Sequence, residues 1–129
     1  MPLVVALVDD LLFLSRIREA ARGTPVEIRS ARSSAAVLQA SRDGARLVLV
    51  DADSARLPWE ESVRALRAEG GRAVPPVVAF LSHVHAERAE AARAAGCTRV
   101  LARGAFVQEL PGLLADAAAP TPGSEENEP

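Results

Sequence analysis

Residues 3–10 read LVVALVDD and residues 47–51 read LVLVD, so two short runs of Val and Leu each end in aspartate. Continuous apolar runs of this length predict strands that are buried on both faces, as in the middle of a parallel sheet. Functional residues of such sheets collect at the carboxyl ends of the strands. If the two strands are neighbours, Asp9, Asp10 and Asp51 come together at one edge of the sheet.

Three carboxylates at one small site disfavour each other's ionisation, because like charges repel. A divalent cation relieves this repulsion, and Mg²⁺ suits an open site with oxygen ligands that keeps several water molecules. The pattern therefore predicts a magnesium site. A purely structural alternative stays open here, because an acidic residue after a strand also caps the helix that follows it.

Length and composition limit the class of protein. The chain has 129 residues, 49% of them hydrophobic, which is enough for one compact domain with a core. The formal net charge of −2, without a separate arginine-rich block, argues against nucleic acid as the main partner. No apolar stretch reaches membrane-spanning length, and we expect no membrane association or secretory signal. The single cysteine, Cys97, favours a reducing cytoplasm.

Strand and helix signals alternate along the whole chain. Apolar segments that are short and continuous or alternating predict strands, whereas amphipathic or alanine-rich segments that end at glycine predict helices. The predicted strands are residues 3–8, 26–30, 47–50, 77–81 and 100–102. The predicted helices are residues 11–22, a helix between Ser33 or Ser34 and Gly44, a helix from Pro58 to Gly70-Gly71, residues 86–95 and residues 106–117.

Five strands that alternate with five helices predict an α/β fold. We expect a flavodoxin-like, doubly wound three-layer sandwich, with a five-stranded parallel sheet in the order 2-1-3-4-5. Residues 1–118 form this domain, and residues 119–129, rich in Pro, Gly, Ser and Glu, predict a disordered acidic tail. In this strand order one edge of the sheet carries the candidate site residues Asp9, Asp10, Asp51, Ser82 and Arg103.

With these motifs in order, the chain resembles the receiver domains of two-component response regulators, of the chemotaxis type, over residues 3–114. Each motif is short, but their order and spacing on one alternating pattern are specific. The motifs are LVDD at residues 7–10, LVLVD at residues 47–51, PPVVAFLS at residues 75–82 and AARAAGCTRVLAR at residues 91–103.

The resemblance implies a phosphorelay role. Asp51 would accept a phosphoryl group from a histidine kinase and would contact Mg²⁺. Asp10 would bind Mg²⁺ directly with the help of Asp9, and the carbonyl of Asp53 is similar in position to the third protein ligand of that ion. Phosphoryl transfer needs a nucleophile in line and a cation that offsets charge, which a carboxylate beside bound Mg²⁺ supplies.

The resemblance also implies how the signal would leave the chain. Ser82 would be the switch hydroxyl that closes on the phosphoryl oxygen, and Arg103 stands where the family has a lysine. Because no output domain follows residue 118, we expect a stand-alone module that is not an enzyme. It would signal to a downstream target protein by contact, as a monomer or a weak dimer.

The chain departs from the family pattern at several positions. The family has Lys-Pro where this chain has Arg103-Gly104, and Val100 stands where the family has an aromatic switch residue. Arginine keeps the charge but carries a planar fork that binds carboxylates with two nitrogens, so Arg103 could sit on Asp51 and fill the phosphoryl position. A pseudo-receiver adaptor, which works without phosphorylation, is therefore the alternative function.

Two further patterns predict other chemistry. Asp51-Ala-Asp53 also looks like the first motif of haloacid-dehalogenase-like phosphatases, in which one aspartate is the nucleophile and the second the acid. That motif lies in the middle of this chain, which leaves no room for a cap or for the later motifs. His83 and His85 flank one residue near the acidic edge, where imidazoles could bind a transition metal or respond to pH.

Overall fold

The structure of the protein is a computed structural model that describes residues 1–69, 74–82 and 86–119. Within these ranges, strands and helices alternate strictly. The strands are β1 (Leu3–Leu7), β2 (Glu27–Ser30), β3 (Leu47–Asp51), β4 (Val77–Leu81) and β5 (Arg99–Ala102). The helices are α1 (Leu11–Ala21), α2 (Ser34–Arg42), α3 (Trp59–Glu69), α4 (Ala86–Ala95) and α5 (Arg103–Ala118).

The strands form one parallel sheet in the order β2-β1-β3-β4-β5. The predicted flavodoxin-like α/β fold and its strand order are therefore confirmed. β1 and β3 are direct neighbours, with Leu7 opposite Val50, and β3 lies beside β4, with Asp51 opposite Phe80. This register brings the residues that follow β1 next to the last residue of β3.

Alternate residues of the central strands pack against opposite helical layers, as the two-residue period of a strand requires. In β1, Val5 and Leu7 belong to the core that α2, α3 and α4 cover. Val4 and Ala6 belong to the core that α1 and α5 cover. All five residues of β1 are buried, which explains the continuous apolar run in the sequence.

Three phenylalanines form the centre of the second core. Phe80 of β4 lies between Phe13 of α1 and Phe106 of α5, with ring centroids 4.6 Å from each. Phe80 and Phe106 are fully buried, and Phe13 is 8% exposed. The cluster lies directly below the carboxyl edge of the sheet, because Phe80 is the neighbour of Asp51 across the β3–β4 pair.

α5 begins three residues earlier than the sequence predicts, at Arg103 and not at Phe106. Ala102 is its N-cap and makes no side-chain capping bond, so the helix starts directly from the last residue of β5. First-turn residues need no apolar face, which is why the hydrophobic pattern gave no sign of them. The early start places Arg103 in the first turn of the helix, at the edge of the sheet.

The other end of α5 is tied to the residue that precedes β3. Nη1 of Arg46 donates to the carbonyl oxygens of Ala117 and Ala119, at 3.1 and 2.8 Å. The last carbonyls of a helix have no partner within it, so an arginine there satisfies them and opposes the negative end of the helix dipole.

Some predictions fall outside the described residues. The Gly70-Gly71 end of α3, His83 and His85, and the predicted tail from Pro120 onward belong to this group. In the described part of the chain, no helix is both long and apolar enough to cross a membrane.

Candidate functional site

The carboxyl edge of the sheet carries a shallow cavity of about 280 Å³. Asp51 reaches it from the end of β3, whereas Asp9 and Asp10 reach it from the turn between β1 and α1. The cavity is lined by Asp9, Asp10, Asp51, Asp53, Ser54, Ala55, Arg56 and Arg103. The structure therefore brings together five of the six site residues predicted from the sequence, and Ser82 is the one outside the lining.

Asp51 is the buried acid of the site, with 3% of its side chain exposed. The Asp53 backbone N–H donates to Oδ1 at 3.1 Å, and the Asp9 backbone N–H donates to Oδ2 at 3.4 Å. Burial raises the pKa of Asp51, although these two bonds and the charge of Arg103 act in the opposite direction. The carboxylate is thus held in position but incompletely compensated, which is typical of a residue placed for chemistry.

Asp10 has a structural role as well as a place in the site. Its Oδ1 accepts bonds from the backbone N–H groups of Leu12, at 3.0 Å, and Phe13, at 3.2 Å, which caps α1. The bond from Phe13 is the main reason that the pKa of Asp10 is lowered. The capping alternative is therefore confirmed for Asp10: one oxygen caps α1, and the other faces Arg103.

Arg103 contacts three carboxylates at once. Nη1 lies 3.4 Å from Oδ2 of Asp10, Nη2 lies 3.7 Å from Oδ1 of Asp51, and Nε lies 3.4 Å from Oδ2 of Asp53. Its Nε is buried and makes no hydrogen bond, so the contact with Asp53 is electrostatic attraction without hydrogen-bond alignment. The carbon of the guanidinium lies 4.6 Å from the ring centre of Phe13 and 5.3 Å from that of Phe80.

The side chain of Asp53 links the site to the next strand and helix. Its Oδ2 accepts a bond of 2.6 Å from the backbone N–H of Ser82, and Arg88 of α4 lies 3.3 Å from Oδ1. In the phosphatase alternative this carboxylate would serve as the acid, but here it is engaged by Ser82, Arg88 and Arg103. Ser82 contributes its backbone to this contact.

Sequence reasoning missed three polar partners of these acids. Ser54 donates its hydroxyl to Oδ2 of Asp9 at 3.4 Å, and Arg32 lies 3.3 Å from Oδ1 of the same residue. The third is Arg88. The sequence held a usable signal for Ser54, because a serine in a turn-forming stretch often hydrogen-bonds to the backbone of its own loop. In the structure its hydroxyl accepts two such bonds, from the backbone N–H groups of Arg56 and Leu57.

The chemistry of the donor set suits a hard divalent cation, because four carboxylates face one cavity. Within the described ranges, however, no three His, Cys, Asp or Glu side chains are grouped closely enough to hold a metal ion. The guanidinium of Arg103 contacts three of the four acids instead. The ligand types therefore suit the ion, but the carboxylates are not grouped around one point, and the Arg103 guanidinium lies among them.

Replacing Asp51 with Asn is expected to raise the free energy of unfolding at pH 7, by on the order of 1 kcal/mol, since residues placed for function often cost stability. The raised pKa of Asp51 means that the folded state holds this proton more tightly than the unfolded state. Protonated Asp51 therefore stabilises the folded state fully below pH 3.8, the ordinary pKa of aspartate, and this contribution is lost as pH rises through the folded-state pKa. The gain from Asp51→Asn should therefore vanish in acid, which urea unfolding from pH 3 to 8 would measure.

Asp43→Asn is the matched control and should have the opposite sign. The pKa of Asp43 is lowered, first by its hydrogen bond from Arg29, so its stabilisation is present above the ordinary value and is lost as pH falls. This variant should be less stable than the parent at pH 7, and the difference should shrink in acid. A loss of stability at neutral pH in Asp51→Asn, unchanged across the pH range, would contradict the assigned burial cost.

Comparison with known proteins places the fold. No family model matches the sequence, and no curated protein matches it either. The phosphorylated cyanobacterial phytochrome response regulator RcpA aligns with a TM-score of 0.72 at 14% identity, over 92% of this chain and 96% of that one. The Mn²⁺-bound response regulator Rcp1 aligns with a TM-score of 0.72 at 11% identity, over 94% and 97% of the two chains.

A response regulator of red-light signalling in R. palustris aligns with a TM-score of 0.73 at 19% identity, over 94% of this chain and 99% of that one. At such identities the likeness concerns the fold. It covers nearly the whole length of both proteins in each pair, so the five-stranded sheet and its five helices correspond as one unit. The chain has the receiver-domain fold of response regulators.

Proposed function

We propose that this chain is a signalling receiver that accepts a phosphoryl group on Asp51 from a histidine kinase and passes the signal on by protein contact in the cytoplasm. The observation that carries the proposal is the buried Asp51 carboxylate, held at the carboxyl end of a central parallel strand and facing a cavity with three other carboxylates. A surface acid with a structural role has no need of such burial.

The two oxygens of Asp51 are not equivalent. Oδ1 accepts the shorter backbone bond, from Asp53, and faces Arg103, whereas Oδ2 accepts one bond of 3.4 Å from Asp9. Oδ2 is therefore the more available nucleophile. In the transfer, an Asp51 oxygen forms the new P–O bond, the P–N bond to the kinase imidazole breaks, and the electron pair stays on that nitrogen.

Positive charge near Asp51 has to offset the charge on the phosphoryl oxygens. Mg²⁺, held by the carboxylates of Asp9, Asp10 and Asp51 and the carbonyl of Asp53, would supply part of it. Arg103, in the first turn of α5, would supply a further charge to the phosphoryl oxygens; in the structure it lies 3.7 Å from Asp51. Ser82 is proposed as the hydroxyl that senses the modified aspartate from the end of β4.

Asp53 gives the modified site a route to the protein surface. Its carboxylate holds the backbone of Ser82 and the side chain of Arg88 on α4. If phosphorylation draws Arg103 or Asp53 into new contacts, these two partners change theirs as well. The proposed contact surface for a downstream target is therefore the face formed by β4, α4 and β5.

A pseudo-receiver adaptor is the second candidate, and the contacts of Arg103 favour it. A guanidinium that contacts Asp10, Asp51 and Asp53 provides the site with a positive charge of its own. Such a chain would present one fixed surface to its partner and would need no phosphoryl group. The two candidates therefore differ in whether Asp51 can be modified.

Intact-protein mass spectrometry after incubation with Mg²⁺ and a small-molecule phosphodonor tests the proposal. We expect the mass of one added phosphoryl group, and no addition in Asp51→Ala, because the nucleophile is lost. Asp43→Ala removes an acid paired with Arg29, away from the site, and should be modified like the parent. A folded parent chain that gains no mass would rule out the phosphorylated receiver and favour the adaptor.

A further inference from the structure

We propose that Arg103 is an internal competitor for the divalent cation: metal binds only when the guanidinium leaves Asp10 and Asp51. The inference concerns the regulation of the proposed receiver site and rests on the proposed role of its carboxylates. The Arg103 guanidinium lies among the carboxylates that would hold the ion, at 3.4 Å from Asp10, 3.7 Å from Asp51 and 3.4 Å from Asp53, and we call this the closed arrangement.

The contacts of Arg103 indicate that its positive charge is shared among three carboxylates. Its three distances to carboxylate oxygens are 3.4, 3.7 and 3.4 Å. Two other ion pairs are shorter, at 2.7 Å for Arg99 with Glu109 and 2.8 Å for Arg29 with Asp43, whereas the exposed Arg22–Glu19 pair is as long, at 3.7 Å. Arg103 thus lies among three acids, with one long hydrogen bond to Asp10 at 3.4 Å and no bidentate pair with any of them.

Charge within the site supports competition. Arg32 pairs with Asp9, Arg88 pairs with Asp53, and Arg103 serves the remaining acids. With Arg56, which also lines the cavity, four guanidinium groups lie near four carboxylates, so the net charge of the site gives an incoming cation little attraction. Loss of the Arg103 charge exposes Asp10 and Asp51 to each other and strengthens that attraction.

The surroundings of Arg103 both favour and oppose its closed position. Phe13 and Phe80 lie 4.6 and 5.3 Å beneath the guanidinium, which favours the closed position. The positive end of α5 disfavours a cation in its first turn. The side chain is 26% exposed, so part of it already reaches solvent.

Titration of Mn²⁺ into Arg103→Gln, followed by isothermal calorimetry and by the electron paramagnetic resonance of free Mn²⁺, tests the inference. If the closed arrangement accounts for nine-tenths of the parent molecules or more, apparent affinity should rise about tenfold or more in the variant. Asp10→Ala in the Arg103→Gln background should remove the gain. Mg²⁺ should displace the bound Mn²⁺.

Arg99→Gln is the matched control, because it removes the same charge from the Glu109 pair and leaves the acidic site intact. Equal affinities in Arg103→Gln and Arg99→Gln, or an unchanged affinity in Arg103→Gln with native circular dichroism, would overturn the inference. Since the readout is metal binding, the proposal about phosphorylation is tested separately. If Mn²⁺ binds Arg103→Gln more tightly but no phosphoryl group is added, the phosphorylated receiver is rejected and the competition by Arg103 stands. If a phosphoryl group is added but the Mn²⁺ affinity is unchanged, the receiver stands and the competition is rejected.

Discussion

Replacing Phe80 with alanine is expected to lower the free energy of unfolding by roughly 3–5 kcal/mol, the usual cost of deleting a buried aromatic ring. Phe80 is fully buried between Phe13 and Phe106, with both ring centroids at 4.6 Å. The lost aromatic contacts add to the cost of the cavity.

Urea unfolding followed by circular dichroism would measure this loss. Leu12→Ala is the matched control: the side chain is 84% exposed, so the change should stay within about 0.5 kcal/mol. Phe80→Leu keeps much of the volume and should fall between the two. A loss of less than about 1 kcal/mol in Phe80→Ala would mean that the ring cluster is not the centre of this core.

Replacing Gly96 with alanine is expected to cost about 2–3 kcal/mol, at the upper end for a strained backbone position. Gly96 ends α4 with φ at +122°, a conformation that residues with a Cβ rarely adopt. An added Cβ would also lie 2.6 Å from Cγ of Arg67. Relief would move Arg67, whose Nε and Nη2 both donate to the carbonyl of Gly96.

Gly44 separates the two causes of this loss. It ends α2 with φ at +97°, and a Cβ there would meet nothing within 4 Å, so Gly44→Ala reports backbone strain alone. Thermal unfolding of both variants should show the larger loss for Gly96→Ala. In the Arg67→Ala background that excess should shrink. Equal losses at the two glycines would show that the Arg67 contact contributes nothing.

Most of the fold could be predicted from sequence because its signals are local. Fully buried strands such as β1 and β3 give continuous apolar runs, and glycine marks the ends of helices such as α2 and α4. The start of α5 at Arg103 could not be predicted in this way, because a first helical turn requires no apolar residue and Ala102 gives no capping signal. Its position depends on the end of β5.

The convergence of Asp9, Asp10 and Asp51 could also be predicted, because strand order alone determines it. The partners Arg32 and Arg88 could not. Every basic residue of the chain is arginine, so nothing in the sequence distinguishes those that reach the site. Their distances depend on how α4 and the loop after β2 pack, which local patterns do not encode. The contact of Arg103 with Asp51 followed from its place after β5.

The bond from Arg46 to the end of α5 determines where attachments to this protein belong. Arg46 precedes β3, and Asp51 is the last residue of that strand, so Ala119 lies near one end of β3 and the Asp51 carboxylate, the proposed phosphoacceptor, at the other. Five residues of extended chain span roughly 15 Å. A fluorophore or an immobilisation handle joined directly to Ala119 would therefore lie at the opposite end of the sheet from the acidic cavity and leave that cavity accessible to the proposed partner.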